Sequence, residues 1–168
     1  MPRIGTVNPK RMHLKNNIFR AGSSGPTEQY RRPVRVTDAM TRGVVTLGQN
    51  DNFDAAIELM VSRDYQHLVV TDEEEKVLGL ISQGDIVGTR WDISEWRHKK
   101  VHQAMTANPV TVTVDTPLYD AISMMITKHL NCLPVVKYSG ALCGILTSID
   151  VMKSHQKMLK PGETEPDG

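Results

Sequence analysis

At 168 residues the chain has room for one ordinary domain or for two small repeats sharing a core. Lysine and arginine total 20 against 19 aspartates and glutamates, so the net charge of +1 supplies no global field for nucleic acid. The two cysteines, Cys132 and Cys143, lack metal-ligand spacing, and no apolar run approaches the roughly 18 residues of a membrane span.

These features argue against a disulfide framework, a zinc or other metal site and a transmembrane helix. A soluble cytoplasmic protein is the expectation. Residues 1–33 carry Arg3, Lys10, Arg11, Lys15, Arg20, Arg31 and Arg32 against Glu28 alone. Pro2, Gly5, Pro9 and the run Gly22-Ser23-Ser24-Gly25-Pro26 interrupt this arm, and its few apolar residues follow no period. It reads as a largely irregular basic arm with no apolar core of a secretory signal. A solvated tail is favoured over a nucleic-acid element, since nothing marks a groove-reading helix.

From Val36 the chain repeats itself. At a constant offset of 65, residues 36–87 and 101–152 agree at 13 of 52 positions without a gap. A gapless match of this length is the signature of two copies of one supersecondary unit. Ala39-Met40-Thr41 answers Ala104-Met105-Thr106, and Val45-Thr46 answers Val110-Thr111.

A helix follows in each copy. Asp51 is the expected cap of the first, with Phe53, Ala56, Ile57, Met60 and Val61 on one buried stripe. In the second, Thr116 is the expected cap and Pro117 the first helical residue, ahead of Leu118, Ala121, Ile122, Met125 and Ile126. Methionines at this spacing are core filling rather than a ligand box.

Two strands then form a hairpin in each copy. His67-Leu68-Val69-Val70-Thr71 and Val77-Leu78-Gly79-Leu80-Ile81 flank an acidic turn over 72–75. Leu133-Pro134-Val135-Val136 and Leu142-Cys143-Gly144-Ile145-Leu146 flank Tyr138-Ser139-Gly140. Pro134 cannot donate to a ladder and is expected at an edge or a strand start. Both cysteines are expected reduced, with Cys143 in the core. A last helix begins near Gln83 in one copy and near Ser148 in the other. The stretch between the copies holds Trp91 and Trp96 as expected anchors, and the acidic tail from 158 should be unstructured.

The hairpins end on Gly79-Leu80-Ile81-Ser82-Gln83-Gly84-Asp85 and Gly144-Ile145-Leu146-Thr147-Ser148-Ile149-Asp150. A hydroxyl with a carboxylate three residues on, at a strand-to-helix junction, suits a phosphate and a ribose. The same pattern is also a capping box, in which the two side chains satisfy each other's backbone donors. Taken singly, the capping reading is the stronger; the repeat is what shifts the balance.

The whole unit, strand-helix-strand-strand-helix closed by Gly-x-x-[Ser/Thr]-x-x-Asp, resembles the CBS domain in its tandem arrangement, a Bateman module. The resemblance covers roughly residues 34–157 and rests on both Ala-Met-Thr segments, Ala56-Ile57, Ala121-Ile122, Leu133-Pro134-Val135-Val136 and both closing motifs. It implies an α/β (α+β) fold of two β-α-β-β-α repeats, 34–92 and 101–157, packed by pseudo-two-fold symmetry through their sheets. A linker over 93–100 would join them, with the arm and a tail over 158–168 outside. It implies clefts for adenosine ligands (AMP, ADP, ATP, NAD or S-adenosylmethionine) and a homodimer.

Carried over residue by residue, the resemblance places Asp150 on the ribose hydroxyls, where an ionised carboxylate makes charge-assisted bonds to a cis-diol. Thr147 would meet ribose or phosphate and Ile145 the adenine, joined by Thr41, Val44, Val45, Tyr65 and Gln66. The second cleft would use Asp85, Ser82 and Leu80 with Thr106, Pro109, Val110, Leu130, Asn131 and His67. Phosphate-gripping relatives often place His or Arg just before the Leu-Pro-Val segment; Gln66-His67 and Asn131-Cys132 stand there and offer no permanent cation, so a triphosphate is not favoured by those positions. Arg42, Arg90, Lys128 or His129 are candidate substitutes.

The expected function is a stand-alone regulatory module, not an enzyme. It would need no cofactor, sense an adenine nucleotide, AMP, ADP or ATP ahead of the others, and act on a separate effector protein. The alternative is a structural dimerisation module with unoccupied clefts. Six scattered histidines form no visible catalytic motif, so an enzymatic reading is weak, and a nucleic-acid role for the arm is weaker.

Overall fold

The computed structural model describes residues 33–88, 93–96 and 98–159. The expectations for the basic arm up to residue 32, for Trp91 and for the tail from residue 160 lie outside them. The first half runs α1 (Val36–Ala39), β1 (Thr46–Gly48), α2 (Phe53–Arg63), β2 (His67–Thr71), β3 (Val77–Ser82) and α3 (Gln83–Gly88). A short helix, α4 (Ile93–Trp96), and a 3-10 turn over Val101–Gln103 lead into the second half. There β4 (Thr106–Ala107), β5 (Val112–Thr113), α5 (Leu118–Thr127), β6 (Cys132–Val136), β7 (Leu142–Thr147) and α6 (Ser148–Met158) follow. Trp96 anchors the connection by standing edge-on to Phe53, ring centroids 6.3 Å apart.

Helices α2 and α5 bury the same positions 65 apart: Phe53, Ala56 and Met60 in one, Leu118, Ala121 and Met125 in the other. The stripe ends one residue sooner than the sequence pattern suggests. Val61 and Ile126 are 80% and 68% exposed. Eight residues on, an α-helix has turned about 80° from the first stripe position, which carries these two off the face that meets the sheet.

The caps are also displaced by one residue. Asn52 and Pro117 occupy the N-cap positions rather than Asp51 and Thr116. The Asp51 carboxylate accepts the Gly48 N–H at 2.8 Å, and the Thr116 hydroxyl accepts the Thr113 N–H at 3.1 Å. Both side chains close the turn before the helix instead of its first turn.

Each half folds β1 or β5 parallel to the first hairpin strand, with the hairpin itself antiparallel. Pro134 sits within β6, the central strand of the order β5-β6-β7, and not at an edge. Its partner Ile145 gives both its N–H and its C=O to Thr41, at 2.9 Å each. The Pro134–Ile145 pair therefore carries no ladder bonds. The missing donor of Pro134 faces the side of β5, whose pairs are Val112–Val135 and Thr113–Val136, so no ladder bond is lost. The cysteines reverse the expected order: Cys132 is buried, while Cys143 is half-buried with its thiol on the Val135 carbonyl at 3.4 Å.

The halves complete one another. β4 adds to the first sheet, giving the order β1-β2-β3-β4 through the pair Leu80–Thr106, and Thr41 bridges Ile145 of the second sheet in the same way. Val36 and Met40 belong to the second half's core, Val101 and Met105 to the first half's. Glycine permits this exchange. A Cβ on Gly79 would lie 2.3 Å from the Met105 sulfur, and one on Gly144 would lie 2.7 Å from the Met40 sulfur and 3.0 Å from the Thr41 carbonyl oxygen. A third apolar cluster, Val69, Cys132 and Ile145 with Val44, Val77, Leu80 and Leu142 against it, joins the two sheets. Backbone conformation repeats where side chains do not: the left-handed residues pair as Gly43 with Asn108, Asp64 with His129 and Glu75 with Gly140, each 65 apart.

Candidate functional site

Strand β7 ends and helix α6 begins at Thr147, whose hydroxyl accepts the Asp150 N–H at 3.2 Å. The Asp150 Oδ2 accepts the Thr147 N–H at 2.8 Å and its hydroxyl at 2.6 Å. The capping box is thus fully formed, and it is also part of a cavity wall. Thr41, delivered by its bridge to Ile145, donates its hydroxyl to Asp150 Oδ1 at 2.8 Å. An ionised carboxylate offers about four acceptor positions, so these three bonds leave one open. That position can accept from a hydroxyl or N–H of a bound molecule.

The cavity measures about 780 Å³, within the range of small-molecule sites. All eight residues expected around Asp150 line it: Asp150, Thr147, Ile145, Thr41, Val44, Val45, Tyr65 and Gln66. They come from both halves, since the β1 approach and the α2–β2 turn face the β7–α6 junction. Asp150 itself is 7% exposed.

Two residues expected around Asp85, His67 and Asn131, line the Asp150 cavity. The reason is position along the sheets: Asn131 precedes β6 and its carbonyl accepts the Ser148 N–H at 3.0 Å, which brings it to the start of α6. His67 opens β2 opposite Ser82, so it stands between the two acidic junctions. Burial lowers its pKa, and the Asp85 charge opposes that shift.

The Asp85 junction is built alike but has different surroundings. Asp85 Oδ2 accepts the Ser82 N–H at 2.7 Å and the Ser82 hydroxyl at 2.8 Å. No bond from Thr106 reaches Asp85 among the described residues, although Thr106 pairs with Leu80. Pro109 is half-buried, and Val110 and Leu130 pack against the second core. None of Asp85, Ser82, Leu80, Thr106, Pro109, Val110 and Leu130 lines the 780 Å³ cavity.

Sequence reading missed Lys153 and Asp64, which line the cavity with Gly43, Leu68, Ser148 and Ile149. For Lys153 a signal existed: it follows Asp150 by three residues on one helix and so shares its face. For Asp64 there was none, because a left-handed residue after α2 sets its direction. None of the candidate cations Arg42, Lys128 and His129 is in the cavity lining. Arg42 donates to the Thr37 hydroxyl at 2.8 Å, and Arg90 lies outside the described residues. No group of three or more His, Cys, Asp and Glu among the described residues is placed to hold a metal ion. No helix among them is long and apolar enough to cross a membrane.

Comparison with known proteins agrees with this architecture. The chain is 28% identical over 116 residues to homoserine O-acetyltransferase of Methanococcus vannielii, covering 69% of this chain and 24% of that one. It is 30% identical over 122 residues to a 17.7 kDa protein of Acidianus ambivalens, covering 71% and 72% respectively. It spans between 23% and 32% of several such longer relatives. Among solved structures it resembles the CBS-pair protein CBSX2 from Arabidopsis thaliana, with a TM-score of 0.71 and 28% identity over 78% of this chain and 100% of that one. A structure of CBSX2 in complex with AMP gives 0.68 and 29%, covering 74% and 97%. The CBS domain model matches twice, at residues 36–92 and 100–157. With both matches together spanning more than half its length, the chain belongs to the CBS-domain family and carries the domain as a tandem pair.

Proposed function

We propose that this CBS pair is a non-catalytic regulatory module that binds an adenosine-containing ligand in the cleft around Asp150. The carrying observation is convergence: residues from both halves, including Thr41, Tyr65, Ile145, Thr147 and Asp150, meet on one cavity of about 780 Å³. A carboxylate with an open acceptor position suits a ribose, and the apolar walls of Val44, Val45 and Ile145 suit a purine. The AMP complex of a structural relative supports the same ligand class.

A ligand there touches the Thr41–Ile145 bridge that ties the halves together. Binding would therefore bias how the halves pack, and that packing is the signal read by an effector protein. A cytoplasmic location and a homodimer complete the reading. The second reading, a structural interaction module, draws on one observation: the Thr147–Asp150 capping box is complete by itself.

A thermal-shift series with adenosine, AMP, ADP, ATP, NAD and S-adenosylmethionine tests the choice. A ligand at 100 times its dissociation constant stabilises the folded state by about 2.7 kcal/mol. A shift that vanishes in Asp150→Asn supports the sensor. No shift with any member of the panel leaves the interaction module.

A further inference from the structure

We propose that the Asp150 cleft selects an adenosine ligand ending in a single phosphoryl group and disfavours longer phosphate chains, with Lys153 as the anion partner and Asp64 as the residue that repels further phosphates. This rests on reading the cleft as an adenosine site and adds what that reading leaves open, the length of the phosphate tail.

The inference follows from the charges that line the cavity. Among the described residues these are Asp64, Asp150 and Lys153. His67 also lines it, but burial holds its pKa below the ordinary value, so it brings no cation at neutral pH. Asp150 accepts only from the neutral donors of Thr147 and Thr41, so its charge stays in place. One ammonium group thus serves an anion, and two carboxylates, Asp150 at the ribose end and Asp64, oppose it.

The start of α6 adds no charge. Its Ser148 N–H goes to the Asn131 carbonyl and its Asp150 N–H to the Thr147 hydroxyl, so of its first three N–H groups only the neutral Ile149 N–H is left to contribute. Lys153 can match one phosphoryl group; each added group brings more negative charge and meets Asp64 without a further cation. The pair belongs to this cleft alone, because the equivalent residues 65 positions away are His129 and Gly88.

Calorimetric titration of the full chain with adenosine, AMP, ADP and ATP, at neutral pH with a chelator present, tests the proposal. AMP should bind about tenfold or more tightly than ATP, with ADP between. Lys153→Met should weaken AMP by about tenfold and leave adenosine within about twofold, because only the phosphoryl contact is removed. Asp64→Asn should narrow the AMP–ATP gap severalfold; asparagine tolerates the left-handed backbone at this position, so the variant folds.

ATP binding as tightly as AMP, or Lys153→Met weakening adenosine and AMP alike, overturns the tail selectivity while the adenosine site stands. Absence of binding by both adenosine and AMP overturns the site and the selectivity together.

Discussion

Asp150 is asked to do two things at once, and its geometry separates them. Its Oδ2 holds the start of α6, and its Oδ1 faces Thr41 and the cavity. Asp150→Asn can keep the first task, since the amide oxygen still accepts the Thr147 N–H, while Thr41 turns to accept from the new amide nitrogen. The variant should fold and lose the charge-assisted ribose bonds, worth roughly 1.5–3 kcal/mol, or about ten- to a hundredfold in AMP affinity by calorimetry. Asp85→Asn should cost less, because Asp85 does not line the cavity; a larger loss there would reassign the site. His67 offers a second test. Burial lowers its pKa, so between that value and about 6.5, where an unfolded histidine titrates, the unfolded chain binds more protons. Its contribution is fully present above pH about 6.5 and is lost as pH falls through the folded value. Melting temperature should decline across this window, and less steeply in His67→Asn. Equal slopes in both proteins would remove His67 as the cause. Cys132 takes no part in such chemistry, since burial pushes its thiol up to about 12.

At the scale of elements, the exchange of leading segments depends on two glycines. The segment through Met40 and Thr41 lies against β7, and the segment through Met105 and Thr106 lies against β3. Gly144→Ala places a methyl group against the Met40 sulfur and the Thr41 carbonyl oxygen, and the second of these is backbone held by the bridge to Ile145. Overpacking of this kind costs about 1–3 kcal/mol, measurable as a lower urea midpoint. Met40→Ala in the same chain should recover part of the loss, giving a coupling of about 0.5–3 kcal/mol in a double-mutant cycle. Strict additivity would show that Gly144 and Met40 do not meet. The shortened stripe on α2 and α5 belongs to this scale too, since helix geometry alone turns Val61 and Ile126 outward.

For the whole molecule, the pseudo-symmetry extends to the outer surface. Val61 and Ile126 are equivalent positions, as are Val87 and Met152, which are 85% and 58% exposed. Ile149 is 47% exposed beside Met152, whereas Ile86 and Val151 pack against the two cores and add nothing outside. Apolar residues repeated at symmetry-equivalent sites suit a partner with the same symmetry, a second copy of the chain. Light scattering at micromolar concentration should give a dimer mass, and Val87→Glu with Met152→Glu should halve it. A monomer mass for the unaltered chain would refute this assembly.

The repeat, the hairpins and the two closing motifs were legible in the chain, because periodicity and a constant offset report local structure directly; the eight residues around Asp150 came from the resemblance to the CBS pair, because they belong to both halves. Pairing across the molecule was not legible. Whether Pro134 stands at an edge, whether Asn131 and His67 face one acidic junction or the other, and whether Thr41 occupies a lone pair of Asp150 depend on which strands become neighbours. Local preferences do not encode those neighbours. Lys153 lay within reach of a helical-face rule, but Asp64 did not: it joins the cavity lining because the turn after α2 meets the β7–α6 junction of the other half. The sequence by itself determined two copies of one unit and the chemistry each copy ends on. The tertiary structure decided that the copies exchange their leading segments, and with that exchange which residues share a cavity.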